Sequence, residues 1–251
     1  MDKCNNANKK LNVDYGPVQA KTYERDRQAT YTDAFFWERE KQELAYAIKM
    51  LQDPLCTILE AGCGTGRFLS DLAKRRFYSI HGIDVSQYML SIAHKKMRKR
   101  SLSFNLYRAD ISHLPFRNNL FDLVYCIRVI NQLPSKEHAF SALFELMRVC
   151  KNHGLILIEY VNEWGLSRFS RTASTYFSIR DVQKNLSNRK NFKIAYVHGL
   201  LFFSQSLWKI LPLQLFRLVA KLDMLFCKLL PKFSTRCYVL ICKQEDHKRL
   251  I

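Results

Sequence analysis

The chain has 251 residues, 48% of them hydrophobic and 25% charged, which is typical of a soluble globular protein able to bury a substantial core. Its formal net charge of +18 favours an anionic partner, such as nucleic acid, an anionic lipid surface or a phosphate-bearing acceptor. Surplus lysines that only solvate the surface explain the charge equally well.

The eight cysteines form no C-x-x-C pair and no spacing typical of metal ligands, so we expect a reduced compartment and no metal site. The first ten residues lack the apolar stretch of a secretory signal. The sequence contains no run of 18 uncharged apolar residues, so it predicts no membrane-spanning helix. We therefore expect a cytoplasmic protein.

The N-terminal part divides into a polar stretch and a helical pattern. Residues 1–20 are polar and irregular, which predicts a loose arm. Residues 22–50 follow a helical pattern that carries several aromatic side chains. Ordinary packing against a sheet is the preferred interpretation for each of them, namely Tyr23, Tyr31, Phe35, Phe36 and Trp37.

A buried strand, a glycine turn and a helix are predicted in succession over residues 57–69. The apolar strand ends in an acid, Glu60, and Gly62, Gly64 and Gly66 then occupy every second position. Glycine suits a turn that needs unusual φ/ψ angles and a close approach of ligand to backbone. The N–H groups of the following helix would point into a crevice beyond the strand end.

Two kinds of nucleotide-like ligand compete for such a turn. The dinucleotide fingerprint requires glycine at its first, third and sixth positions, but the sixth position counted from Gly62 is Arg67. A carboxylate at Glu60 would repel a pyrophosphate and attract a cationic ligand. The stretch resembles motif I of the class I S-adenosylmethionine-dependent methyltransferases, close to the quinone and small-molecule methyltransferases. This resemblance implies S-adenosyl-L-methionine, a sulfonium, as the cofactor.

The second predicted strand ends at Asp84, about 20 residues after the glycine turn. Asp84 resembles the ribose-binding acid of the family, since a carboxylate accepts two hydroxyl hydrogen bonds. A helix cap is the alternative, for which Ser86 is better placed. Met89 could lie against the adenine ring or belong to the core. The helix ends in a basic run over residues 95–100, which suits its dipole.

Residues 101–126 follow the family pattern of an acid, a Leu-Pro-Phe turn and Phe-Asp before the fourth strand. Asp110 and the Ile111 backbone resemble the adenine contacts, whereas Asp122 is interpreted as structural. Gln132 stands where many relatives carry histidine, which weakens a catalytic role for this loop. The Asn-Pro-Pro-aromatic signature of base amino methylation is absent, which weakens a nucleic-acid substrate.

The resemblance implies a cofactor site assembled from the glycine turn and the ends of the second, third and fourth strands. It also implies that the N-terminal helix covers the cofactor. The predicted cofactor-binding residues are Glu60, Ala61, Gly62, Cys63, Gly64, Gly66, Asp84, Val85, Met89, Asp110, Ile111, Cys126, Ile127 and Arg128.

A fifth strand, preceded by a helix over residues 136–149, ends in Glu159 and Tyr160 at the edge where substrates bind. Either side chain could orient or deprotonate an acceptor, and a structural hydrogen bond explains each equally well. No compelling histidine–carboxylate pair is present, so no catalytic residue is assigned. Holding donor and acceptor in line is expected to supply much of the barrier reduction.

The last part of the chain predicts an antiparallel pair of strands, at 192–200 and 236–243, separated by an apolar helical insertion over 201–233. On a helical wheel at about 100° per residue, four polar side chains of 213–230 fall within roughly 60° and most of the rest is apolar. An anionic membrane or lipid contact, a lid over a soluble apolar acceptor and a subunit contact are the three interpretations.

Together these elements predict one α/β methyltransferase domain over residues 1–251, with a doubly wound, mostly parallel seven-stranded sheet, a final antiparallel strand pair and a helical insertion. It comprises an arm with helices (1–50), a cofactor-binding core (55–160) and a substrate-side segment (161–251). The expected function is methyl transfer to a small or lipid-like hydrophobic acceptor, at oxygen, nitrogen or carbon. An RNA (tRNA) methyltransferase and a non-catalytic S-adenosylmethionine-binding module are the alternatives.

Overall fold

Seven strands pair into one sheet. The computed structural model describes residues 15–26, 30–51, 55–73, 79–100, 104–165, 175–203 and 205–245. Its strands are β1 (Thr57–Ala61), β2 (Ser79–Asp84), β3 (Asn105–Arg108), β4 (Phe121–Cys126), β5 (Cys150–Val161), β6 (Phe192–Leu201) and β7 (Arg236–Lys243). Their order is β3-β2-β1-β4-β5-β7-β6, and β7 is antiparallel to both of its neighbours. The predicted mostly parallel, seven-stranded sheet with its final antiparallel pair is confirmed.

The helices cover the sheet and connect its strands. Several begin at serine caps, whose side chains accept a free N–H of the first turn: Ser86 accepts from Met89, and Ser178 forms a capping box with Asp181. The helices are α1 (Pro17–Asp26), α2 (Tyr31–Leu51), α3 (Arg67–Leu72), α4 (Gln87–Lys99), α5 (Lys136–Val149), α6 (Ile179–Ser187), α7 (Gln205–Ile210) and α8 (Leu213–Leu229), with 3-10 turns at Ile130–Gln132 and Pro231–Phe233.

The central strands are buried on both faces, which explains why they read as continuous apolar runs. Successive residues of one strand enter different core clusters: Leu59 and Val124 belong to one, and Ile58 and Leu123 to the other. The order of the strands reverses between β1 and β4, which pair with each other. In open α/β sheets a crevice lies beyond the carboxyl ends of the strands at such a reversal.

Several boundaries differ from the predictions. Residues 17–20 of the predicted loose arm begin α1, which packs on α4 and buries Ala20. The single helical pattern over 22–50 spans two helices, and residues 27–29 between them lie outside the described part of the chain. The fifth strand begins at Cys150 and is irregular at its start, where its pairing with β4 shifts between Phe121 and Leu123 and His153 has a positive φ of 63°.

The apolar insertion lies between β6 and β7. Its main helix, α8, starts after Pro212 and ends before Pro231, as the sequence predicts. Because β6 runs parallel to β5, its carboxyl end lies at the crevice edge of the sheet, where the insertion starts. In the described ranges, no helix combines the length and apolarity needed to pass through a bilayer.

Candidate functional site

The glycine turn after β1 forms one wall of the crevice. Gly62, Gly64 and Gly66 have φ angles of 83°, 53° and 71°, in the left-handed region where side chains are disfavoured. A Cβ atom on Gly62 would lie 2.2 Å from Cγ2 of Val129 in the loop after β4. The Gly62 N–H donates to the Ile83 carbonyl at 2.9 Å, which joins the turn to the end of β2. The predicted strand–turn–helix unit is confirmed.

Asp84 holds the crevice together from the end of β2. One carboxylate oxygen accepts the Gly64 N–H at 2.8 Å and the other accepts the Ser86 N–H at 2.9 Å. Burial raises the pKa of Asp84, although these amide hydrogen bonds act in the opposite direction. Since each carboxylate oxygen has a second lone pair, Asp84 can accept two further hydrogen bonds within the crevice. Ser86 caps α4, as predicted.

Many of the predicted cofactor-binding residues meet in the wall of this crevice. They come from the glycine turn, the end of β2, α4, the loop after β3 and the loop after β4, elements that are distant in sequence. The predicted residues in the wall are Gly62, Gly64, Asp84, Val85, Met89, Asp110, Ile111, Ile127 and Arg128. The others, which lie outside it, are Glu60, Ala61, Cys63, Gly66 and Cys126.

Glu60 does not present a charge to the crevice, which corrects the electrostatic argument made from the sequence. Its side chain is buried beneath the turn, where the Tyr125 hydroxyl donates to Oε2 at 3.0 Å. Burial raises the pKa of Glu60 to about 8, although hydrogen bonds from Tyr125 and the Leu69 amide lower it. At neutral pH the group is therefore mostly an uncharged acid that packs under α3.

Two tyrosines from the N-terminal part cover the crevice, and both lie in its wall. Tyr15 accepts a hydrogen bond on its carbonyl from Ser86 Oγ at 3.2 Å, and its ring meets Tyr23 edge-on at 5.5 Å. Sequence reasoning assigned Tyr15 to a loose arm and Tyr23 to ordinary packing. The other aromatic side chains of this part do pack: Phe35 on Trp208, and Trp37 on Phe68.

The remaining wall residues that the sequence did not single out as cofactor contacts are mostly apolar. The only sequence signal for these residues is that they lie next to, or near, predicted cofactor contacts in the chain. They are Ile83, Ala109, Val129, Gln132 and Leu133.

The loop after β4 is fixed by a chain of charged groups. Arg128 has a φ of 63°, and its N–H donates to Oε2 of Glu159 at 2.8 Å. Its guanidinium group binds Glu40 of α2, and its carbonyl accepts the Gln132 side-chain amide. The other oxygen of Glu159 accepts Arg236 Nε at 2.5 Å. These contacts hold Arg128 in an otherwise unfavourable backbone conformation at the crevice wall.

Glu159 and Tyr160, the two acceptor-activating candidates, do not lie in the wall of this crevice. Glu159 is fully buried and committed to Arg236 and the Arg128 amide. Burial disfavours the charged form of Arg236, but the neighbouring Glu159 carboxylate holds the pKa of Arg236 above its ordinary value. Tyr160 is buried against Phe177, and burial raises the pKa of its hydroxyl. Both side chains therefore have structural partners, the alternative that the sequence left open.

Other predicted structural roles are confirmed by their contacts. Asp122 accepts the Thr57 N–H at 2.8 Å and pairs with Lys151 at the opposite end of β1 from the glycine turn. Arg148 donates to the Leu114 and Phe116 carbonyls at 2.9 and 2.6 Å, which fixes the Leu-Pro-Phe turn next to Asp110.

Comparison with known proteins finds a matching family model over part of the chain, and relatives of similar sequence. Residues 58–154 match a family model described as a methyltransferase domain. An uncharacterized protein of Methanocaldococcus jannaschii is 31% identical over 159 residues, 62% of either chain. A sterol 24-C-methyltransferase of Schizosaccharomyces pombe is 28% identical over 54% of this chain and 35% of its own length. The chain spans about a third to three fifths of the length of these curated relatives.

Solved structures share the fold at low sequence identity. Magnesium protoporphyrin IX methyltransferase from Synechocystis PCC 6803, with bound S-adenosylhomocysteine, is 15% identical with a TM-score of 0.64, covering 92% of this chain and 96% of that one. An S-adenosylmethionine-dependent methyltransferase from Clostridium acetobutylicum is also 15% identical, with a TM-score of 0.61 over 83% and 92% of the two chains.

Proposed function

We propose that this chain carries a class I S-adenosylmethionine-dependent methyltransferase domain and transfers the methyl group of that cofactor to a small or lipid-like hydrophobic acceptor. The atom methylated is oxygen, nitrogen or an activated carbon. The observation that carries the proposal is the arrangement of Asp84, which binds the glycine turn and still faces the crevice with free lone pairs.

The cofactor of this class is S-adenosylmethionine, and the crevice suits its parts. Asp84 would accept the two ribose hydroxyls, since a carboxylate can take both at once. Asp110 and the Ile111 backbone would meet the adenine edge, with Met89 against the ring. The loop that Arg128 holds would face the methionine portion. The cofactor supplies a methyl group on a positively charged sulfonium, so the leaving sulfur departs as a neutral thioether.

The chain's own contribution is to position the reactants and to exclude water. Tyr15 and Tyr23 would close the crevice over the donor, and the Arg128 loop would fix the direction of approach. Orientation alone can supply roughly 7–11 kcal/mol of barrier reduction. We expect the reaction to depend on alignment more than on a general base.

The hydrophobic nature of the acceptor is supported from two sides. The crevice wall contains the apolar side chains Ile127, Val129 and Leu133, which follow β4 in the chain. Relatives are named for methylation of sterols and of demethylmenaquinone, and a structural neighbour for magnesium protoporphyrin IX. These are apolar or largely apolar acceptors.

We propose a cytoplasmic location for the reaction.

The test is titration calorimetry with S-adenosylhomocysteine on the Asp84→Asn variant. We expect affinity to fall by roughly a hundredfold, because the amide replaces an acceptor oxygen with a donor at a site of several hydrogen bonds. Asp122→Asn is the matched control, since Asp122 also accepts a strand N–H but lies at the other sheet end. It should keep its affinity. Equal affinity of the Asp84 variant and the unchanged chain would refute the proposed donor site.

An RNA acceptor is the second candidate, and the net charge of +18 favours it. A gel shift with transfer RNA, followed by a methylation assay on the same RNA, separates the two. Specific RNA methylation without turnover of any apolar acceptor would reverse the ranking. Cofactor binding without turnover on a broad acceptor panel would instead indicate a non-catalytic binding module.

A further inference from the structure

Helix α8 carries a row of exposed leucines, which we call the leucine stripe. These side chains lie at successive spacings of three and four residues, so they share one side of the helix within about 80° of arc. Their exposed fractions lie between 39% and 63%, large values for leucine in a folded chain. The stripe consists of Leu215, Leu218, Leu222, Leu225 and Leu229.

The way α8 is docked on the protein keeps this stripe outside. Its buried side consists of Ala220, Asp223 and Cys227. The Asp223 carboxylate accepts the Phe202 and Phe203 N–H groups at 2.9 Å each, and Arg39 also donates to it. Rolling α8 to bury the leucines would expose these amides and break a buried charge network. The apolar stripe is therefore built to face outward.

Cations lie beside the stripe on the next sector of the helix. Arg217, Lys221 and Lys228 fall within about 40° of one another, between the leucine stripe and the buried side. All three are exposed, while the one acid of α8, Asp223, is buried and has its partners inside the protein. The outer face of α8 thus combines leucines with uncompensated positive charge.

We propose that the leucine stripe and its three cations dock the protein on a bilayer that carries anionic headgroups. The leucines would enter the boundary between headgroups and acyl chains, and the lysine and arginine stems would extend to the phosphates. Two residues close to α8 in sequence are also apolar and exposed: Ile210, before the helix, is 78% exposed and Phe233, after it, is 51% exposed. A bilayer can receive apolar side chains over this whole width.

A second copy of the chain fits this face less well. The leucine spacing alone would suit a helix pair. In an antiparallel self-pair, however, Lys221 and Lys228 would face the same lysines of the other copy along the seam, which is repulsive. A helix pair would also leave Ile210 and Phe233 outside a narrow seam. Charge complementarity therefore selects an anionic surface over self-association.

The docking surface and the crevice lie on different elements of the fold. The insertion starts at the carboxyl end of β6, the edge of the sheet where the crevice lies. Docking on a bilayer does not require methyl transfer, so the proposals for the cofactor site and for the docking surface can be refuted independently.

The experiment is flotation of the purified full chain with vesicles of phosphatidylcholine, with and without phosphatidylglycerol. We expect binding only to the anionic vesicles. The variant Leu218→Asp with Leu225→Asp should lose at least tenfold in partition, because two charges replace inserted leucines. Its matched control is Leu55→Asp, an exposed leucine before β1 at the other end of the sheet, which should bind normally.

A second pair of variants tests the charges. Changing Arg217, Lys221 and Lys228 to Gln should weaken partition roughly fivefold per charge. Changing Lys95, Arg98 and Lys99 to Gln removes the same net charge from the end of α4 and should leave partition within about fivefold of the unchanged chain.

Other outcomes would overturn the proposal. Absence of flotation, or equal flotation of the α8 and control variants, would exclude α8 as a membrane-docking face. A dimer seen by sedimentation velocity, and dissociated by the double aspartate variant, would show that a second copy covers the stripe. Calorimetry with S-adenosylhomocysteine on every variant reports separately on the donor site and shows that the chain is folded.

Discussion

A single buried carboxyl group lies directly beneath the glycine turn. Glu60 keeps its proton in the folded state up to a pH of about 8, whereas in the unfolded chain it ionises near pH 4.5. Between these values the folded state binds more protons than the unfolded one, so stability falls as pH rises. Each pH unit in this window reduces stability by roughly 1.4 kcal/mol.

We therefore expect Glu60→Gln to remove this pH dependence. The amide is close to the protonated acid in shape, so the variant should match the unchanged chain near pH 5 and exceed its stability at pH 8. Urea unfolding at pH 5, 6.5 and 8 measures the difference. The exposed Glu38→Gln is the control and should follow the unchanged chain at every pH. Parallel curves for Glu60→Gln would mean that Glu60 is ionised in the folded state.

At the scale of elements, a network of charged side chains lies behind the crevice. It joins α2, the loop after β4, β5 and β7. Glu40, Arg128, Glu159 and Arg236 each come from a different segment of the chain. Glu159 is central, because both of its oxygens are used. The network ties the loop after β4 to the sheet and to α2, so a change in one member reaches the crevice through Arg128.

We expect Glu159→Gln to lower stability by about 3–5 kcal/mol, because Arg236 would be buried without a counter-charge. Urea unfolding measures the loss. Glu163→Gln is the control, since its pair with Lys136 is largely exposed and should contribute below about 1 kcal/mol. If Glu159 acted instead as a general base, its variant would lose turnover while keeping full stability.

The elements that the sequence predicted well are those in which local pattern and function coincide. The glycine turn, Asp84 and Asp110 carry their signal in residue type and spacing, and the structure brings them to one crevice. Tyr15 and the partners of Glu159 could not be found in this way. Their roles depend on contacts between distant segments, such as Tyr15 with Ser86 and Glu159 with Arg236, which no local pattern encodes.

Glu60 and α1 show how a correct local signal can be misinterpreted. The sequence showed the acid near the end of β1, but the charge of Glu60 depends on its burial under α3, which is established only when the chain folds. The polar composition of residues 1–20 as a whole concealed the start of α1, which is held by its contact with α4 rather than by apolar periodicity.

At the scale of the whole molecule, cofactor binding should stabilise the fold, because the crevice joins both halves of the sheet. At a hundredfold excess over Kd, a ligand that binds only the folded state adds about 2.7 kcal/mol. For a domain of this size that is roughly 5–10 °C in Tm. Thermal scans with S-adenosylhomocysteine measure it, and NADH is the negative control. A shift with NADH alone would contradict the proposed donor site.

The basic groups of α4 and of α8 differ in their surroundings. The basic end of α4 is compatible with its helix dipole and needs no ligand. The cations of α8 lie beside exposed leucines, so they are placed where they can act together with apolar contact. The positions of the cations therefore say more about a binding partner than the total net charge of +18 does.

The segment between Phe202 and Thr235 leaves the sheet at the end of β6 and returns to it at the start of β7. Its two ends are joined at the base, where the Thr235 N–H donates to the Leu201 carbonyl at 2.5 Å. The segment is anchored in the core, because Trp208 and Ala220 are buried in the same cluster as Phe36 of α2 and Leu201 of β6. Changes confined to its exposed leucines would therefore leave the sheet and the crevice wall in place.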